Sequence, residues 1–438
     1  MIHIRKIMLA LAVTAGSGVT VMAQTNGSNS PYSRYGFGLL SDRAQGFNKG
    51  MSGLSYGMSN GTELNTKNPA SYAKIDSLSF LFDIGVTLQQ GTLSQGSNKV
   101  NAKNTSFDYL SLGFRAAPNL GVSLGFMPFS TIGYSLSTTD DLRLPSGDEI
   151  TQTESYQGDG GLREAYAGIG WSPIKPLSLG VNVGMLWGSM THTVMASFSD
   201  DNISSRRRQY DADITTYMLD FGGQYTVPIK PKHDLILGVT YGLGHNIKSD
   251  GHYYDQKVSS GSVASGDTLT ARNAFQLPHT LGIGAVWSYD KRLRAGIDYT
   301  FQRWSGVKTP VVKESAGGQK YEAATGQFTD MHKVTLGMEY LPSNNGVRWR
   351  DFVRYRAGFS YTSPYAKVDG KKGPRSYAAS IGVGLPILNY YNNRSIVNIS
   401  AQYERVEPQF SGMVTENYFR ICIGLSFNER WFMKWKVE

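Results

Sequence analysis

Cysteine is almost absent: Cys422 is the only one in 438 residues. A disulfide within the chain is therefore impossible, and another framework must hold a chain of this size together. Long apolar runs are missing as well. After the first 23 residues no apolar stretch reaches the roughly 18 residues that a membrane-spanning helix needs. Histidine is scarce, with seven residues in no metal-ligand spacing, so no metal and no cofactor is expected. Gly57-Met58-Ser59-Asn60-Gly61 has the letters of a nucleophile elbow but lacks the strand-to-helix context that makes one. No catalytic residue is assigned, and an enzyme is not expected. Charge is basic but dispersed, and nothing resembles a nucleic-acid module. The single basic run, Arg206-Arg207-Arg208, reads as a solvated loop, with contact to anionic lipopolysaccharide as the other reading.

What is present begins with an export signal. Arg5 and Lys6 form a basic start, Ile7 to Val13 opens a short apolar run, and Val21-Met22-Ala23 precedes Gln24 as a small-residue cleavage site. Residues 1–23 are expected to be a signal peptide, and their removal lowers the formal charge from +9 to +7. The rest of the chain holds 50 glycines, 26 tyrosines and 19 phenylalanines. It also carries a recurring alternation. Leu78, Phe80, Phe82, Ile84, Val86 and Leu88 interleave with Leu81, Asp83, Gly85, Thr87 and Gln89. That is a strand with one apolar and one mixed face. Leu177, Leu179, Val181, Val183, Met185 and Trp187 repeat it most clearly.

Counted along the chain, the pattern recurs about fourteen times, with short and long connectors in alternation. The expected fold is all-β: a transmembrane antiparallel β-barrel of about 14 strands over residues 78–427, in the outer membrane. Short links at Pro118, 172–176, 228–233 and 290–292 are expected on the periplasmic side. Segments 90–104, 138–153, 248–272 and 305–330 are expected as external loops. Trp171, Trp187, Trp287, Tyr289 and Trp304 sit at strand ends, as girdle residues do. The inward face carries Asp83, Asp298, Arg354, Arg356, Glu404 and Arg420, expected to form a polar network in the lumen.

Residues 24–77 are too polar for the membrane and too long for a plain leader. They are expected to fill the barrel as a plug. A plug that ends in Asn68-Pro69-Ala70 and leads straight into fourteen strands resembles the FadL-type outer-membrane transporters of long-chain fatty acids and other hydrophobic compounds. The resemblance covers the mature chain in architecture and a tripeptide in motif. In the third strand, alternation fails at Phe126-Met127-Pro128-Phe129, and Gly133 follows. An ordinary bulge accounts for this. The resemblance implies instead a kink at Pro128, Phe129 and Gly133 that opens a lateral hole beside Asn68, Pro69 and Ala70.

Two features depart from that family. The external segments are polar, and residues 428–438 follow the last strand as a tail expected on the periplasmic side. Two functions therefore stand. The resemblance implies passive uptake of a hydrophobic, fatty-acid-like small molecule with lateral exit. The polar loops and the tail suit a subunit or shuttle of an outer-membrane protein secretion or assembly complex. A porin ranks behind both, because a plug blocks diffusion. The expected partners are outer-membrane lipid and lipopolysaccharide, a hydrophobic small molecule, or proteins of such a complex.

Overall fold

The computed structural model describes residues 28–143, 149–200, 202–259, 262–315, 318–343, 346, 348–388 and 394–430. The expected signal peptide and the tail beyond Arg430 lie outside the described residues. Fourteen barrel strands follow one another. They are β1 (Ser79–Gln95), β2 (Asn98–Ala117), β3 in two halves (Leu120–Pro128 and Ser130–Arg143), β4 (Glu149–Ile174), β5 (Leu177–Phe198), β6 (Ser205–Lys230) and β7 (His233–Gly242). The series continues with β8 (Thr280–Tyr289), β9 (Leu293–Gln302), β10 (Met331–Tyr340), β11 (Arg354–Thr362), β12 (Arg375–Leu388), β13 (Arg394–Glu407) and β14 (Thr415–Arg430). Each pairs antiparallel with the next, and β14 returns to β1 from Ser79↔Arg430 to Ser94↔Thr415. Closure removes the sheet edges that lipid would leave unsatisfied.

The alternation decides which way each side chain points. Ile169, Leu179, Val183, Phe221, Val239, Ile283, Ile297, Leu336, Phe359, Ile381 and Phe419 are exposed by 45–67% on neighbouring strands. A continuous apolar band of this kind belongs against lipid, since soluble proteins do not leave one in water. No helix among the described residues is long and apolar enough to cross a membrane; the strands do the crossing.

Three expectations need correction. The last strand runs to Arg430, three residues past the expected end, because Phe80 and Ser79 continue to pair with Glu429 and Arg430. The expected external loops are largely β-hairpins: Gly251–Ser259 with Ser262–Ala271, Thr309–Ser315 with Gly318–Ala324, and the extended tips of β1 to β6. With both faces wet, such strands lose the alternation that would announce them. Arg206 to Arg208 are part of β6, opposite Lys257, Gln256 and Asp255, and Arg206 pairs with Asp255.

Candidate functional site: the lumen and the break in its wall

The segment that leads into β1 touches strands on every side of the ring. Its ordered pieces are short: two 3-10 turns, Pro31–Arg34 and Pro69–Lys74, and a single helical turn, Gly46–Lys49. Each of the 3-10 turns starts the same way. Ser30 accepts from Tyr32 N and precedes Pro31. Asn68 accepts from Ala70 N at 3.1 Å and precedes Pro69. A small polar cap followed by proline suits a turn start, where proline's missing N–H costs nothing.

Asn68 does more than cap. Its Nδ2 donates to Tyr56 O (2.7 Å) on the segment and to Gly223 O (3.2 Å) on β6, and the residue is wholly buried. Tyr72 donates to Asn182 Oδ1 on β5, and Asn182 Nδ2 donates back to Thr66 O, both at 3.1 Å. The turn can approach this closely because the wall behind it is glycine. A methyl group at Gly180 would lie 2.4 Å from the Pro69 carbonyl carbon, and one at Gly222 would lie 2.2 Å from Asn68 Oδ1. At Gly121 it would lie 1.9 Å from Tyr72 O. Only a residue without Cβ permits such contact. Part of the chain's glycine content is thus spent on seating Asn68, Pro69 and Ala70.

Charge ties the middle of the segment to the wall. Glu63, wholly shielded, lies 3.2 Å from Arg356, which holds Glu339 at 2.7 Å and donates to Asn398 at 2.5 Å. Arg354 adds longer contacts to the same two carboxylates, and Arg294 a longer one to Glu339. Asp298 accepts from the backbone N–H groups of Ser55 (2.6 Å) and Tyr56 (3.0 Å). Asp83 accepts from Tyr109, whose hydroxyl oxygen accepts from Gly46 N at 2.8 Å. Glu404 and Arg420 pair separately, with Gln89 at 2.6 Å from Arg420. The six lumen residues expected as one network are therefore four separate groups, three of them bound to the leading segment. Sequence reasoning missed Arg43, held 2.9 Å from both Glu164 and Asp220, and Glu63. Lys333 holds Asp42 at 2.6 Å. Burial raises the Asp42 carboxyl, but Lys333 and Lys67 outweigh it and hold the group below the ordinary carboxylate range.

Beside this segment lies a cavity of about 470 Å³. Asp42, Arg43, Lys49, Asp108, Lys333 and Glu404 line it together with Leu39, Leu40, Tyr56, Met331, Tyr365 and Val368, so its wall is mixed. Towards the outside, Phe37 packs against Phe275 and Trp304, Trp304 packs in turn against Phe328, and Tyr365 donates to Gly38 O.

The wall is broken at one place. The lower half of β3 pairs with β2 from Ala117↔Leu120 up to Leu110↔Phe126, and the ladder stops there. After Phe129 the upper half pairs with β4 on one side and, through Ser130 and Thr131, with Leu40 and Leu39 of the leading segment on the other. Phe129 itself donates to Leu162 O (2.8 Å) and accepts from Ser41 N (2.9 Å). The strand thus leaves its neighbour and joins the interior. Pro128 is the last residue before the break, Phe129 is the break, and Gly133 lies beyond it, where its N–H meets Ser33 Oγ. On the outside Phe126 stands 5.8 Å from Phe107 and 5.9 Å from Trp187, ring to ring.

The profile of the BamG family matches residues 1–438, the whole chain. The chain belongs to the BamG family. Against curated proteins no sequence match reaches significance. Among solved structures, this BamG-family chain is similar to the CymD monoaromatic hydrocarbon channel, with a TM-score of 0.58, 15% identity, and 88% of this chain and 98% of that one covered. A Pseudomonas aeruginosa FadL homologue gives 0.58 at 12% identity, covering 88% and 98%. The Ralstonia pickettii toluene transporter TbuX gives 0.57 at 13%, covering 87% and 97%. At such identities the likeness is one of fold: a FadL-like, multi-pass barrel of the outer membrane.

Proposed function

We propose that this barrel is a sealed, non-transporting subunit of an outer-membrane protein secretion or assembly complex. One observation carries the reading: the leading segment is fastened to the wall around the lumen, by Asn68 to Gly223 O, Glu63 to Arg356, the Ser55 and Tyr56 N–H groups to Asp298, and Arg43 to Glu164 and Asp220. Letting a hydrophobic molecule through would require those buried hydrogen bonds and ion pairs to be broken together, and a buried charge left without its partner is costly. Residues 24–77 act as a permanent plug in this reading, with Asn68, Pro69 and Ala70 as its lock on the wall. The family's name points the same way. Purification in mild detergent tests it. A stoichiometric complex with other outer-membrane proteins is expected, and a lone barrel at every detergent strength would sink it.

The break at Phe129 favours a second reading, passive uptake of a hydrophobic small molecule that leaves sideways into the bilayer. Pro128, Phe129 and Gly133 would frame the exit and Asn68 to Ala70 would gate it. The likeness in fold to barrels titled as hydrocarbon channels supports this reading. Under it, Asn68→Ala with Pro69→Ala abolishes uptake of a labelled hydrophobic compound by whole cells. Under the subunit reading, wild-type and variant cells take it up alike.

A further inference from the structure

The short-turn end of the barrel carries an excess of cations on every described turn from β4 to β11. Turn 172–176 has Lys175 and no acid. Turn 228–234 sets Lys230 and Lys232 against Asp234, turn 290–292 sets Lys291 and Arg292 against Asp290, and connector 341–353 sets Arg348 and Arg350 against Asp351. These turns form one continuous rim. Asp290 N donates to Lys232 O at 2.6 Å, Leu341 N to Arg292 O at 2.7 Å, and Thr226 N to Pro176 O at 2.8 Å. Arg292 is turned into the chain, where it donates to Leu341 and Pro342 carbonyls. Lys175, Lys230, Lys232, Lys291, Arg348 and Arg350 are exposed.

Connector 341–353 differs from the other short-end turns in length and in what it displays. It folds a 3-10 turn, Trp349–Phe352. Trp349 is 49% exposed, yet its indole N–H is fixed to Pro386 O at 2.8 Å. An aromatic ring held by its polar edge, open on its faces and flanked by two arginines costs little entropy to bind. Tryptophan and arginine are the residue types that anchor protein interfaces. Ile174 and Ile229, 57% and 52% exposed, put apolar surface between the cations.

We infer that this rim is a docking surface for a periplasmic protein with an acidic face, with Trp349 as its anchor and Lys230, Lys232, Arg348 and Arg350 as its charged border. The inference rests on the subunit reading and names the face through which the complex is held. Exposed cations in excess over acids select an acidic partner and set its rate of capture, while the pinned tryptophan supplies the apolar centre.

The test uses the full-length protein expressed in its own membrane. Two variants are purified in mild detergent: Trp349→Ala, and the combined Lys230→Gln, Lys232→Gln, Arg348→Gln and Arg350→Gln. A third form carries a photo-reactive phenylalanine analogue in place of Trp349. Each variant is expected to lose about tenfold or more of the co-purifying partner. Barrel integrity, read by heat-modifiable electrophoretic mobility, stays unchanged. The cross-link joins position 349 to the lost protein, whose contacting peptide is rich in Asp and Glu. A complex recovered at wild-type level from both variants overturns the docking inference and leaves the subunit reading standing. Cross-links to phospholipid alone, with the complex intact, reassign the rim to the inner-leaflet headgroups. A wild-type barrel that purifies alone and cross-links to no protein overturns both.

Discussion

The two ends of this barrel use the same residue types in opposite ways. At the outer end, aromatic rings are buried against one another and charges are paired with charges. Trp304 is fully buried between Phe37, Phe328 and Tyr365, and Arg206, Lys313 and Arg375 each face an acid of a neighbouring strand. At the periplasmic end, Trp349 and a run of lysines and arginines are left in water. The outer hairpins have nothing but each other and the leading segment to pack on, so they complete themselves. The inner turns are held to one another largely by backbone groups, which leaves most of their charged side chains exposed to another molecule. A tryptophan thus says little by itself; which partner its ring already has decides whether it is structural.

The comparison predicts where substitutions hurt. Trp304→Ala removes the buried centre of the outer end and should cost about 3–5 kcal/mol. Its clearest sign is new cleavage of the 309–324 hairpin when intact cells are treated with external protease. Arg356→Met acts midway between the ends. It leaves Glu63 and Glu339 buried beside weaker partners, and should cost about 3–5 kcal/mol in urea unfolding. Adding Glu63→Gln should recover part of that loss, because one of the two stranded charges is then gone.

Gly180→Ala tests the seat of Asn68-Pro69-Ala70. The added methyl meets backbone rather than a flexible side-chain tip, so a loss of about 1–3 kcal/mol is expected, with earlier release of the leading segment to protease in detergent. Lys313→Gln stands at the bottom of the scale. Its pair with Glu322 spans 2.7 Å but both side chains are about half exposed, so the urea midpoint should stay where it is in the wild type. A shift there would show that the outer end depends on its surface charges and not on Trp304.

Much of this architecture was legible in the sequence. Strand number and inside-outside phase follow from period-two alternation, which survives wherever one face meets lipid. The break in β3 was marked by the failure of that alternation at Phe126 to Phe129 and by a proline that cannot donate to a ladder. The outer hairpins were missed for the converse reason: with water on both faces, Ser262 to Ala271 has no pattern to read. The pairing of the lumen charges was hidden too. Arg43 with Glu164 and Glu63 with Arg356 are far apart in the chain and are brought together only by ring closure. The short-end cations were visible as residues, but their excess over acids along one rim becomes visible only once the turns are set side by side.

The glycine seats also imply an order of events. Gly121, Gly180 and Gly222 fit the Asn68 turn with no room for it to slide, and Ser130 and Thr131 need Leu39 and Leu40 to complete their ladder. A ring that had already joined residues 79–94 to 415–430 would have to admit this segment past its own tight contacts. Pairing across that sequence distance is also the slowest step to form. The leading segment is then the former around which the wall is cast, in place before the seam closes and locked in by the closing.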